Sequence, residues 1–153
     1  MSAALGIDVR PGAAAREAVE GCDIIITAST SKTPVFDGQW VAAGTHINGI
    51  GSHSLDAREV DSLTIRRSKV IVDLRSAALA EAGDLVTPIN AGEITADHIY
   101  ADLGEIVTGK PGRADADEIT FFKSVGLAIQ DVSTAMKVYE LARQKGIGQE
   151  VSL

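Results

Sequence analysis

Short apolar runs rich in β-branched residues alternate, over the first half of the chain, with segments of helical periodicity. Residues 23–29 (DIIITAS) form a short, β-branched apolar run and read as a buried strand. Residues 45–51 (THINGIG) read as a second strand that decays into glycines, and residues 69–74 (KVIVDL) as a third. Residues 13–20 (AAAREAVE) predict a helix stopped by Gly21. A second helix is predicted from Asp56 to about Arg67, with Val60, Leu63 and Thr64 on its inner face. A short third one spans 76–82 and ends at Gly83. Strands that alternate with helices argue for parallel βαβ units. The expected fold is therefore α/β, with three core parallel strands at about 23–28, 45–50 and 69–73 and helices on both faces.

Further along, the period changes. Ile119, Phe122, Leu127, Ile129, Val132 and Met136 recur at helical spacing, which predicts a long helix capped by Asp115 or Asp117 and running to Ala142. Lys145-Gly146 is its expected stop. Ser124-Val125-Gly126 interrupts the pattern, and glycine inside a helix costs about 1 kcal/mol relative to alanine. A break, or a close approach by backbone or ligand, is expected there.

Composition narrows the function classes. At 153 residues and 45% hydrophobic content the chain can bury one core. With a formal net charge of -7 and no basic run longer than Arg66-Arg67, neither nucleic acid nor an anionic membrane is an expected partner. The single cysteine, Cys22, has no internal disulfide partner, as suits a reducing cytoplasm. The first residues carry no signal-peptide pattern, and the longest apolar runs fall far short of a membrane span.

Three places could carry chemistry. Thr27-Ala28-Ser29-Thr30-Ser31 follows the first strand directly. In parallel α/β sheets ligands sit beyond the carboxyl ends of strands, where small hydroxyl residues can bond ribose or phosphate oxygens. The plain alternative is an ordinary polar turn. His46-Ile47-Asn48-Gly49-Ile50-Gly51-Ser52-His53 ends the second strand. Its glycines admit close backbone approach, and His53 could act as an acid or base near neutrality, unless both histidines are simple loop residues. Phe121-Phe122-Lys123-Ser124-Val125-Gly126 offers a hydroxyl and a glycine to a cleft, or is a kinked core helix. No metal is expected, because Asp97-His98 lacks the further ligands that zinc requires. Thr108-Gly109-Lys110 is followed by Pro111 and lacks the rest of a phosphate-binding loop.

An ordered series of segments resembles the ornithine cyclodeaminase/μ-crystallin family. It runs through 18–29 (AVEGCDIIITAS), 33–36 (TPVF), 44–48 (GTHIN), 58–61 (REVD), 81–85 (EAGDL), 103–109 (LGEIVTG), 111–113 (PGR) and 122–131 (FKSVGLAIQD). The resemblance implies NAD or NADP on a Rossmann-type sheet, and hydride transfer between nicotinamide and the α-carbon of a small amino or imino acid. It places Thr27, Ala28, Ser29, Ile47, Asn48, Gly49, Ile50 and Ser124 at the cofactor and Val125 at the substrate. In the ornithine cyclodeaminases proper an aspartate follows the glycines of the second-strand loop and a lysine comes shortly after. Here those positions hold His53 and Ala57. His53 thus becomes the candidate catalytic residue, and the resemblance points to ketimine or pyrroline-carboxylate reduction rather than ornithine cyclodeamination.

The chain contains no G-x-G-x-x-G/A, the loop that seats pyrophosphate on a helix N-terminus. It reads as one domain over 1–153: the C-terminal half of a nicotinamide-binding Rossmann domain plus the family's C-terminal helix, starting within the helix before the third strand at residues 3–9. A truncated gene product, an expression fragment and a free-standing half-protein all fit. Three functional readings follow: a truncated reductase-like protein without activity of its own, a non-catalytic oligomerising or binding module, and an enzyme completed by another chain. In the standard strand order 3-2-1-4-5-6 the 23–28 strand would lose its first-strand neighbour, so an open edge and a homodimer are expected, with the 7–9 segment relocated or loose.

Overall fold

The computed structural model describes residues 1–151. Helices α1 (Ser2–Leu5) and α2 (Ala15–Val19) precede strand β1 (Ile24–Thr27) and, after a 3₁₀ turn at Gly38–Trp40, strand β2 (His46–Gly49). There follow α3 (Ser62–Arg67), β3 (Lys69–Val72), α4 (Arg75–Glu81), α5 (Gly83–Asn90), β4 (Ile99–Asp102), α6 (Leu103–Val107), β5 (Thr120–Lys123) and α7 (Ala128–Lys145). All the strands are parallel, in the order β1-β2-β5-β3-β4. The α/β architecture and the three expected strands are present, each shorter than its apolar run. Val70, Val72, Ile47 and Phe121 are wholly buried and form the centre of the core with Ile65, Val60 and Leu85.

Four differences from the sequence reading have physical causes. Residues 56–60 are loop rather than helix, because the Glu59 and Val60 amides donate to the Asp84 side chain; the helix begins only where Asp61 caps the Thr64 amide. Gly83 starts α5 as well as following α4. A Cβ there would collide with the Ala57 carbonyl, so the bare backbone lets the 54–57 loop lie against the helix start. Strand β4 has no counterpart in the sequence reading, because its four residues are too few to show a period. The long C-terminal helix is the largest correction: neither Asp115 nor Asp117 caps it, and its first predicted turns are β5, with Phe121 buried and paired on both sides. The interruption at Ser124-Val125-Gly126 is real; it is the turn from β5 into α7, with Gly126 at φ 87°.

As expected, β1 lies at the sheet edge. Its only strand neighbour among the described residues is β2. Asp23 and Thr27 carbonyls accept from β2, so alternation points the Ile24 and Ile26 backbone groups outward. Residues 7–9 join no strand; the Val9 amide bonds Ser2 Oγ, and Ile7 is exposed. Helix α7 buries none of its residues, and ends at Gly146 in the left-handed conformation.

Candidate functional site

Parallel strands deliver their carboxyl ends to one edge, and there β1, β2 and β5 bring the candidate segments together. Thr27 ends β1 and Ser29 lies two residues on; Asn48 and Gly49 end β2; Ser124 follows β5, and its amide donates to the Gly49 carbonyl at 3.1 Å. Gly49 is needed because the Phe121 ring lies where its Cβ would be, 2.7 Å away. Ala28 and Ile50 are exposed, Asn48 and Val125 are half-buried, and Ile47 points wholly into the core. Any contact of Ile47 with a ligand at this edge would have to run through its backbone.

The hydroxyls are not idle. Thr27 Oγ1 and Ser29 Oγ donate to Glu59 at 3.2 and 2.8 Å, and Ser124 Oγ donates to Asp73 at 2.9 Å. His53 is exposed, its Nδ1 3.3 Å from the Gly51 carbonyl. His46 lies at the opposite end of β2, bonded to Thr120 Oγ1, away from the site. His98 is spent on the Ile65 carbonyl, and Lys110 on the Tyr100 carbonyl and Glu105. Among the described residues no three His, Cys, Asp or Glu side chains gather as a metal site.

Four charged residues that the sequence reading did not single out as chemical groups build the platform beneath. Glu59 is fully buried, and its carboxylate accepts from Ser29 N–H and Oγ, Thr27 Oγ1, and the Gly51 and Ser52 amides. Burial alone would raise this carboxyl, but the bonds from Ser29, Gly51 and Thr27 outweigh it and hold it below its ordinary value. Asp84, also fully buried, accepts the Glu59 and Val60 amides on one oxygen and faces Lys123 Nζ at 2.9 Å with the other. Asp73, at the end of β3, gathers Ser124 Oγ and the Val125 and Gly126 amides on one oxygen, which fixes the turn after β5. Part of the signal was present in the sequence: Asp73 and Lys123 directly follow the apolar stretches Val70-Ile71-Val72 and Phe121-Phe122, and Asp84 precedes Leu85-Val86, but Glu59 sits in the charged stretch Arg58-Glu59-Val60-Asp61.

A sequence model of the ornithine cyclodeaminase/mu-crystallin family matches residues 1–146. The chain belongs to that family. A Delta(1)-pyrroline-2-carboxylate reductase from Bacillus cereus is 43% identical over 139 residues, which are 90% of this chain and 42% of the relative. The solved Thermococcus litoralis Delta(1)-pyrroline-2-carboxylate reductase, in complex with NADH and L-proline, superposes with a TM-score of 0.91 at 49% identity, covering 98% of this chain and 47% of that one. An archaeal alanine dehydrogenase dimer with bound NAD superposes with a TM-score of 0.83 at 36% identity over 99% of this chain and 47% of its own. This family member thus spans about half the length of the relatives it matches. None of its described helices is long and apolar enough to cross a membrane.

Proposed function

We propose that this chain carries the nicotinamide side of a reductase that moves hydride between NAD(P)H and a small cyclic imino acid. The observation that supports it most directly is the convergence of Ser29, Asn48–Gly51 and Ser124–Gly126 at the carboxyl ends of three neighbouring parallel strands. Apart from Ile50 and Val125 these segments are small or polar, and they include neither lysine nor arginine. They suit a nicotinamide ring and its ribose, not a pyrophosphate. When bound, the cofactor supplies the hydride; the chain's own part is to hold the ring and exclude water. The Asn48 side chain would orient the ring and ribose, and Val125 would pack against substrate, while the Ile50, Gly51 and Ser52 amides are held by the Thr27 carbonyl and Glu59. His53, exposed beside the loop, is the group that would protonate the imine nitrogen.

Lacking a G-x-G-x-x-G/A, the isolated chain is expected to bind NAD(P) more weakly than about 1 mM and to show no dehydrogenase or cyclodeaminase activity. The reading is tested by NMR titration of the full chain with nicotinamide mononucleotide and, separately, AMP. Nicotinamide mononucleotide should shift the amides of Ser29, 48–53 and 124–126, and AMP should not. Equal shifts from both, or from neither, would reject the assignment to the nicotinamide side.

A second reading, a non-catalytic oligomerising module, is favoured by the outward Ile24 and Ile26 of β1, 62% and 63% exposed. They border a shallow groove of about 290 Å³ with Ala15, Ala18, Val35 and Phe36. Either reading is compatible with a two-fold dimer built on this edge, and with a reducing cytoplasm that keeps Cys22 a thiol.

A further inference from the structure

The loops after β1 and β2 meet over a single buried carboxylate. Glu59 Oε1 accepts the Ser29 amide and hydroxyl, at 2.5 and 2.8 Å; Oε2 accepts the Gly51 and Ser52 amides, at 2.8 and 3.2 Å, and Thr27 Oγ1 at 3.2 Å. All five partners donate, so the site needs a group with acceptors only. A carboxylate meets that need and a carboxamide does not. The two loops also touch directly: a Cβ on Gly51 would overlap the Ser29 backbone and sit 2.5 Å from Glu59 Oε1. The Glu59 backbone is itself fixed from below, through Asp84, which is paired with Lys123 on β5. One connected set of bonds therefore joins β1, β2, α5 and β5 at the edge where Ser29, Asn48 and Ser124 emerge.

We infer that Glu59 is a positioning residue, whose charged carboxylate locks the Ser29 and Gly51–Ser52 loops into one unit and so sets the spacing of the nicotinamide-facing groups. The inference rests on the nicotinamide-side reading above. Glu59 itself touches no ligand; it acts through Ser29 and Gly51. Ser29 Oγ, which the sequence marks as a ligand donor, serves here to hold the loop, leaving the exposed backbone around it to meet the ring. The other charged groups near Glu59 are Asp84 and Lys123 beneath it, His53, Asp56 and Arg58 on its own loop, and Lys32, which pairs with Asp56, on the β1 side.

The test uses the full chain, ¹⁵N-labelled, with nicotinamide mononucleotide as the probe. In the wild type, acidification should shift the Ser29, Gly51 and Ser52 amides with one shared midpoint below pH 4.5, the ordinary value for the Glu59 carboxyl, and probe affinity should fall with that midpoint. Glu59→Gln should weaken probe binding at least fivefold at pH 7 while β3 and β4 amides keep their shifts. Should Glu59→Gln fail to fold, Ser29→Ala, which removes one of the five donors, should move the shared midpoint upward. Probe binding that is unchanged in Glu59→Gln and flat across the amide midpoint would overturn the inference and leave the nicotinamide-side reading standing. Absence of probe shifts in the wild type at neutral pH would overturn both. Separate midpoints for Ser29 and Gly51 would show that the carboxylate does not couple the loops, and would overturn the inference alone.

Discussion

Lys123 Nζ lies 2.9 Å from Asp84 Oδ2, with both side chains entirely out of solvent. Beyond this ion pair neither atom has a hydrogen-bond partner among the described residues. Taking each charge from water costs several kcal/mol, and their attraction offsets that only while both are present. Lys123→Met or Asp84→Asn alone should therefore destabilise the fold by about 3–5 kcal/mol. The double variant should cost clearly less than the sum of the two, because no uncompensated charge is left. Urea unfolding of the four proteins measures the coupling; strict additivity would show that the two charges act independently.

Glu59 gives the fold a pH dependence of defined sign. Its carboxyl lies below its ordinary 4.5 in the folded protein, so the native state binds the proton less readily than the unfolded chain. The stabilisation is complete above about pH 4.5 and fades as pH falls through the lower, folded value. Glu105 and Glu118 are lowered too, by hydrogen bonds from the Asp102 amide and from Lys69 respectively, and act in the same direction. The comparison must therefore be differential. The urea midpoint of the wild type should fall more steeply between about pH 5 and pH 3 than that of Glu59→Gln. Parallel curves would mean that Glu59 titrates alike in both states.

Much of the sheet was legible in the sequence because β1 and β3 are short β-branched runs and β2 a shorter one that decays into glycines, with helical patterns between them. β5 was not, because Ile119 and Phe122 also fit a helical period with Leu127 and Ile129, and four residues are too few for periodicity to separate strand from helix. What decides the matter is pairing: Thr120–Lys123 bonds β2 on one side and β3 on the other, a tertiary fact that no local window contains. The site divides in the same way. Ser29 and Asn48 were legible as small polar residues at strand ends, and Ser124 only as part of a break in a helical pattern. The roles of Glu59, Asp73, Asp84 and Lys123 depend on which distant amides reach them. Residues 58–60 show this well: an apparent helix start is loop because Asp84, 24 and 25 residues away, takes the Val60 and Glu59 amides.

The β1 edge makes a position-specific prediction. Proline at Ile26 would remove an N–H that points outward, whereas proline at Ile25 would break the ladder to β2. If the chain forms a homodimer through this edge, Ile26→Pro should be folded and monomeric, while Ile25→Pro should unfold β1. Light scattering after size exclusion, at micromolar concentration, reads the mass. A wild-type mass of one chain would reject the dimer, and a dimer surviving in folded Ile26→Pro would reject the edge as its cause.

Two glycines should respond in opposite directions to alanine. At Gly51 the new Cβ has no room against Ser29 and Glu59, and the variant should lose about 1–3 kcal/mol. Gly104 lies within α6 with nothing within 4 Å of its Cβ position, so Gly104→Ala should gain about 0.5–1 kcal/mol. Unfolding midpoints of both variants decide the point; a neutral Gly51→Ala would mean that the two loops are not in fixed contact.

The strand furthest along the chain, β5, lies in the middle of the sheet, pairing His46 with Thr120 on one flank and Lys69 with Thr120 on the other. During biosynthesis this arrangement imposes a late keystone. Until residue 120 emerges, β1–β2 and β3–β4 can exist only as two narrow ribbons, each with an inner border of unsatisfied amides and carbonyls that suits any passing strand. A nascent polypeptide stalled just short of Thr120 should thus be a strong client for chaperones, and one released a few residues after Lys123 a weak one. Arrival of four residues, with the Lys123 ammonium meeting Asp84, converts two sticky intermediates into one continuous sheet.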